Sequence, residues 1–434
     1  MSDNKELLHF LEKSKTQFHA IHEIKQILNN HNYVELKEQD HWDLKKGGKY
    51  YTTRNGSAII AFQVGKDIEN LHFQVSAAHS DSPTWKVKEH AQLKSGPYVQ
   101  LNTEGYGGML IAPWFDRPLS LAGRVLVKEA NKVVSKLVDI DRDLLIIPNV
   151  AIHLNREANN GYKYNNQVDL MPLLAMDDKD DSMYQKMIAK AAGVEIDDVV
   201  SHDMYLYNRT KPTTFGYHNE FIASGKIDNL QSAFTTLQGF IAGKNEQAIN
   251  VYSVFDNEEV GSATRMGAGG TLLYDVLQRV VANLGYTSED YYQAVAKSFM
   301  LSVDNGHAIH PNHPELSDKT NHPVLNGGVV IKYNANQKYT TDGLSAAAFM
   351  SLCKDNNIPY QPYANRSDMP GGSTLGSISS TNVGMLAVDL GLAQLAMHSS
   401  YESAGAKDPQ CMIDACKAFF STNMIVSDEG VQVG

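Results

Sequence analysis

The sequence predicts an α/β protein, a mixed β-sheet flanked by helices, with a β-rich unit inserted between its two halves. Three observations carry that expectation. Apolar runs of strand character alternate with longer runs of helical spacing towards both ends of the chain. The middle of the chain changes to brief alternating runs broken by Gly, Pro and Asn. The length, 434 residues, exceeds one ordinary hydrophobic core, and roughly two or three domains are expected at that size. The expected division is residues 1–84 for the first part of the α/β unit, 85–220 for the insert and 221–434 for the second part.

Each element follows in order. Leu7, Leu8 and Leu11, then Ile21, Ile24, Ile27 and Leu28, recur at helical spacing and predict one or two amphipathic helices over residues 4–30. "SAIIAFQV" (57–64) and "LHFQVSAAH" (71–79) read as strands. The insert supplies "YVQLNTEG", "LAGRVLVKEA" and "KLVDIDRDLLIIP". After "GYHNEFIASGKIDNL" the alternation returns. "QSAFTTLQGFIAG" is helical, "INVYSVFD" a strand, "TLLYDVLQRVVANLG" a helix, "SFMLSVD" a strand and "TDGLSAAAFMSLCKDNN" a helix. The apolar run "LAQLAM" before His398 also reads as helical. Such alternation implies a mixed or mostly parallel sheet covered on both faces.

Composition narrows the function. Against 49 Asp and Glu stand 38 Lys and Arg, a net charge of −11, which speaks against nucleic acid or an acidic membrane as partner. No apolar stretch approaches the ~20 residues of a membrane span. The start, "MSDNKELLHFLEKSKTQFH", lacks the basic opening and apolar centre of a secretion signal. Three cysteines, Cys353, Cys411 and Cys416, form no Cys-x-x-Cys and disfavour both a disulfide framework and a thiolate metal site. A reduced, cytoplasmic location is expected.

Five stretches place metal-ligating side chains where apolar strands end: "VSAAHSDSP" with His79 and Asp81, "SGKIDNL" with Asp228, "FDNEEVGS" with Glu258 and Glu259, "MLSVDNGHAIHP" with Asp304 and His307, and "LAQLAMHSSYE" with His398. In open α/β sheets ligands bind beyond the carboxyl ends of the strands. Imidazole and carboxylate together suit zinc, cobalt or manganese. A pair of ions needs about five ligands and a bridging carboxylate, which these residues can supply. Each also has a plainer reading. His79 could be a hydrogen-bonded structural histidine, Asp228 a helix cap, Asp304 with Asn305 a turn, and His398 a solvated helix-end residue. The doubled glutamate is the most specific signal. One carboxylate can ligate while its neighbour accepts a proton from water.

In this order, "AAHSDSP", "KIDNL", "DNEEVGS", "DNGHAIHPNHPE" and "LAMHSSYE" resemble the aspartyl aminopeptidase-like metallopeptidases over nearly the whole chain. The resemblance implies a dinuclear zinc aminopeptidase of phosphorylase/hydrolase-like fold, with the insert as a dimerisation domain and a tetrahedral homododecamer as the assembly. It implies His79, Asp228, Glu259, Asp304 and His398 as ligands of two divalent ions, with Asp228 the bridge. Glu258 would be the general base and Asp81 the residue orienting His79. His153, in "IIPNVAIHLNRE", would reach a neighbouring subunit's site. His307, Lys332 and Tyr339 would line the substrate site. Many family members carry arginine where this chain has Tyr401, so the first substrate residue, acidic or neutral, stays open. A metal-dependent N-acyl-amino-acid deacylase and a non-catalytic assembly protein are the alternatives.

Overall fold

The computed structural model describes residues 4–176 and 179–434. A nine-stranded mixed sheet runs in the order Val34–Glu35, Lys49–Arg54, Ala58–Val64, Ile249–Phe255, Phe73–His79, Phe299–Val303, Leu386–Gly391, Val329–Tyr333, Tyr360–Ala364. Its middle four strands, from Ile249–Phe255 to Leu386–Gly391, are parallel. Ala58–Val64 and Val329–Tyr333 join them antiparallel on either side. Every residue of Phe73–His79, Ile249–Phe255 and Phe299–Val303 is buried. Parallel strands covered on both faces need apolar side chains on both, and for that reason these segments are near-continuous apolar runs in the sequence.

Two cores cover the two faces. One joins the sheet to the helices Lys5–Lys13, Gln17–Asn30, Ile227–Ala242, Gly343–Asp355 and Asp408–Phe419 through Phe10, Ile24, Phe234, Phe349 and Met412. The other seats Leu272–Asn283, Ser288–Ala296 and Leu375–Val383 through Leu277, Tyr291 and Leu375. The N-terminal apolar pattern resolves into two helices because Thr16 is extended between them.

The strands Thr84–Ser95, Tyr98–Tyr106, Leu119–Glu129, Lys132–Asp139, Leu173–Met176 and Val199–Asn208 form a separate six-stranded sheet. Its own core includes Trp85, Leu101, Leu121, Val125 and Leu206. The helix Met183–Ala192 lies against it, burying Tyr184 and Ile188, and ends at left-handed Gly193 (φ 67°). The sequence reading held no helix there. A third, five-stranded sheet joins Thr213–Phe215, Phe221–Ser224, Glu402–Gly405, Ala393–Leu395 and Gly306–His307.

One expectation is corrected here. The run "LAQLAM" is not helical: Ala393–Leu395 is a strand of the third sheet, and Ala396 and His398 take left-handed φ of 54° and 67°. A short, wholly apolar run carries no periodicity that separates a buried strand from a helix. Among the described residues no helix is long and apolar enough to cross a membrane.

Candidate metal centre

Four of the parallel strands end at one edge of the large sheet, and the candidate residues follow those ends. Phe255 pairs with His79 in register, and Val303 pairs with Leu390. His79 closes its strand, Asp304 succeeds Val303 directly, and Glu258 and Glu259 form a tight turn three residues beyond Phe255. Asn257 (φ 63°) and Gly261 (φ 97°) bracket that turn, reversing the chain so that both glutamates face back to the strand ends. Asp228 enters from the start of Ile227–Ala242 and His398 from the loop before Glu402–Gly405. The Asp228–Asn229 peptide bond is cis. Asp228 is not a side-chain cap, since its own backbone departs from helical angles and no capping bond is made.

The side chains converge. His79 Nε2 lies 3.4 Å from Asp228 Oδ1, 3.7 Å from Asp304 Oδ1 and 4.0 Å from Glu258 Oε2. His398 Nε2 lies 3.6 Å from Asp228 Oδ2 and 3.4 Å from Glu259 Oε2. Both imidazoles turn Nε2 inward for the same reason. His79 Nδ1 donates to the Asp81 carbonyl (3.1 Å), with the Asp81 carboxylate 3.3 Å away, and His398 Nδ1 donates to the Gly108 carbonyl (2.6 Å). A carbonyl only accepts, so Nδ1 carries a proton, and in the neutral ring it is Nε2 that offers a lone pair to the cluster.

Asp81 does more than orient His79. Its carboxylate accepts the backbone N–H of Glu258 (3.2 Å) and of Glu259 (3.1 Å) and the phenol of Tyr106 (2.8 Å), which in turn accepts from Asn257 Nδ2 (2.9 Å). Tyr106 and Gly108 come from the edge of the six-stranded sheet, and between them Gly107 has φ +75°. A Cβ on Gly107 would stand 3.0 Å from the Glu259 Cβ, so glycine allows both the turn and the close approach.

The charge of the cluster suits a bound cation. Five carboxylates (Asp81, Asp228, Glu258, Glu259 and Asp304) surround two imidazoles. Burial, then the neighbouring carboxylates, pushes Glu258 up to about 8 and Glu259 well above the carboxylate range. Burial alone would lower His79, yet Asp228, Asp304 and Asp81 raise it well above the ordinary imidazole value. Asp228 Oδ1 and Glu259 Oε1 are buried with no hydrogen-bond partner, which a ligated ion would remedy. Among the described residues, His79, Asp228 and Glu259 offer ligand atoms all within 4.8 Å of one another. The nitrogen and oxygen donors fit zinc.

Residues 10–420 match the family model of the aminopeptidase I zinc metalloproteases, M18. The chain belongs to the M18 family of zinc aminopeptidases. It is similar to the probable M18 family aminopeptidase 2 of Clostridium novyi (strain NT), 43% identical over 424 residues that cover 96% of this chain and 98% of that one. Among solved structures it is similar to the cryo-EM structure of the Ape4 and Nbr1 complex (TM-score 0.93, 34% identity, 96% of this chain and 85% of that chain). It is also similar to the mApe1 dodecamer of S. cerevisiae (TM-score 0.84, 28% identity, 96% and 95%). This M18 enzyme is thus a metal-dependent aminopeptidase acting on peptides, with His79, Asp228 and Glu259 as its candidate metal cluster.

The remaining predicted residues lie further out. His307 lines a cavity of about 310 Å³ with His310, Tyr363, Asn365, Arg366 and Met369. Lys332 is buried, its Nζ donating to the Asp304 carbonyl (2.7 Å) and lying 5.2 Å from the Tyr339 ring centroid. Among the described residues no hydrogen bond or ion pair joins His153 to the cluster, and the residue is exposed in a turn. Sequence reasoning missed Tyr106, Gly108 and Glu402. Glu402 follows His398 by four residues in "HSSYESAGA", and an acid before a small apolar strand was the available signal. Tyr106 and Gly108 had none.

Proposed function

We propose that this aminopeptidase holds two divalent ions, zinc or in its place cobalt or manganese, and removes single residues from the amino end of peptides. One observation carries the reading: Asp228 presents its two oxygens to opposite imidazoles, Oδ1 to His79 and Oδ2 to His398. Two half-sites result, His79 with Asp304 and His398 with Glu259, sharing Asp228 as the bridge. Divalent ions bound there would polarise the scissile carbonyl and make water a better acid.

The chain's own groups supply the rest. Glu258, whose side chain is the more exposed of the two glutamates, takes a proton from the attacking water and returns it to the departing amine nitrogen. Asp81 keeps His79 in one tautomer and carries the Glu258–Glu259 turn. His307, Lys332 and Tyr339 border the substrate. Among the described residues no Asp or Glu lines the cavity beside His307, which supports acidic or neutral first residues over basic ones.

The β-rich insert, residues 85–220, is proposed as the dimerisation domain of a homododecamer. Val150, Ile152 and Leu154 are exposed around His153, and such apolar residues suit a face covered by another copy. His153 would there donate to the developing oxyanion in a neighbouring site.

A panel of aminoacyl-arylamides and N-acyl amino acids, assayed on metal-stripped protein before and after each metal is restored, tests the reading. Free amino acids should be released from unblocked substrates only, with two equivalents of metal per chain. Release from blocked substrates would favour the deacylase alternative.

A further inference from the structure

We propose that Glu402 is a positioning residue that sets the spacing between the two halves of the metal centre by holding the backbone of its ligands. The proposal rests on Asp228 and His398 being ligands, as read above. Glu402 is buried and starts the strand Glu402–Gly405. Its Oε2 accepts the backbone N–H of Asp228 (3.2 Å). Its Oε1 accepts the backbone N–H of His398 (2.8 Å) and the amide of Gln394 (3.2 Å). One carboxylate thus ties together two ligands that arrive from unrelated elements.

Both N–H groups need that acceptor. Asp228 lies in a first helical turn, where no carbonyl of the same helix is available, and His398 sits in a left-handed turn. The tie extends further. Gln394 Oε1 accepts from Asn305 Nδ2 (2.7 Å), and the same nitrogen donates to the Ile227 carbonyl (3.1 Å). Asn305 is the neighbour of Asp304 in the chain, so a single buried polar network reaches the backbone at Asp228, Asp304 and His398. Hydrogen bonds in such a buried network reinforce one another and hold its members in place. Glu402 itself stays outside the ligand group formed by His79, Asp228 and Glu259, so its effect passes through the ligands it holds.

The chemistry of substitution separates this role from bulk packing. In Glu402→Gln the remaining oxygen can keep His398 and Gln394, but the amide nitrogen, a donor, then faces the Asp228 N–H. Zinc dissociation constants measured by chelator competition should rise about 10–100-fold, the usual effect of altering a group that orients a metal ligand. The absorption spectrum of the cobalt-loaded variant should shift, while circular dichroism of the metal-free protein stays that of the parent. Glu402→Asp, which keeps two acceptor oxygens, should bind more tightly than Glu402→Gln. A folded Glu402→Gln protein with zinc affinity within about twofold of the parent and an unchanged cobalt spectrum would overturn the proposal. Should that variant not fold, Gln394→Leu decides: at least about threefold weaker zinc binding supports the network, and unchanged binding overturns it. If the parent protein binds no zinc, the metal reading and the proposal fall together. If the parent binds and the variants match it, only the role of Glu402 falls.

Discussion

His79 and His398 stand on opposite sides of Asp228, and the fold holds them by opposite means. His79 ends a central parallel strand, and its side chain is 1% exposed. Its ring is aimed by the residue two positions on. His398 hangs in a left-handed loop with 33% of its side chain exposed. It is aimed by a carbonyl 290 residues away in the chain, on the rim of another sheet. One half of the centre is therefore built into the core, and the other is assembled where three sheets meet. A side chain on a strand end inherits the precision of the sheet, whereas one on a loop needs hydrogen bonds to replace it.

The largest expected effect falls between the halves. Glu258→Gln should lower kcat by about 10²–10⁴-fold, the usual range for loss of a general base, with bound metal unchanged by elemental analysis. Near-parent turnover would detach the base from the His79 side. Next, the halves should empty separately. Asp304→Ala and Glu259→Ala are each expected to leave one equivalent of metal per chain in place of two, and simultaneous loss of both ions would mean that the halves are not independent.

A smaller effect probes the support of the core-built half. Tyr106→Phe removes one donor from the buried Asp81 carboxylate and should cost about 1–3 kcal/mol in denaturant unfolding. Zinc should be bound about tenfold less tightly. No change in either would show that Asp81 needs only its two backbone donors.

A last comparison, read only in the pH dependence of stability, sets His79 against a buried histidine whose side-chain partner is a threonine. His19 touches Thr16 (2.9 Å), and burial, with His22 and Lys15 next in weight, pushes its pKa down from 6.5 to about 3. Its folded pKa lies below the unfolded one, so the folded state binds fewer protons. Stability is then full above pH 6.5 and falls as pH drops towards 3, by at most about 1.4 kcal/mol per pH unit. His19→Gln should flatten that acid slope in melts between those values. A slope identical to the parent's would place the acid sensitivity elsewhere, for instance at His72 or His202, whose pKa values burial also lowers.

Much of the centre is legible in the linear chain. A strand buried on both faces writes itself as a nearly continuous apolar run, and the charged residues at its end mark the sheet edge where ligands gather. His79, Asp304 and the Glu258–Glu259 pair are found that way. For His398 the sequence suggests the end of a helix instead, because "LAQLAM" has no period. The helix Met183–Ala192 escaped notice because it buries only three side chains inside a β-rich stretch.

Local patterning thus settles which residue types end up at the sheet edge, since burial of a parallel strand is a short-range constraint on composition. Folding in three dimensions settles which imidazole pairs with which carboxylate. It also settles that Tyr106, Gly108 and Glu402 hold them. Those contacts are single directional hydrogen bonds between segments as much as 290 residues apart. A directional bond between distant segments imposes no repeat on the residues around it, so it leaves no pattern to read until the chain has closed on itself.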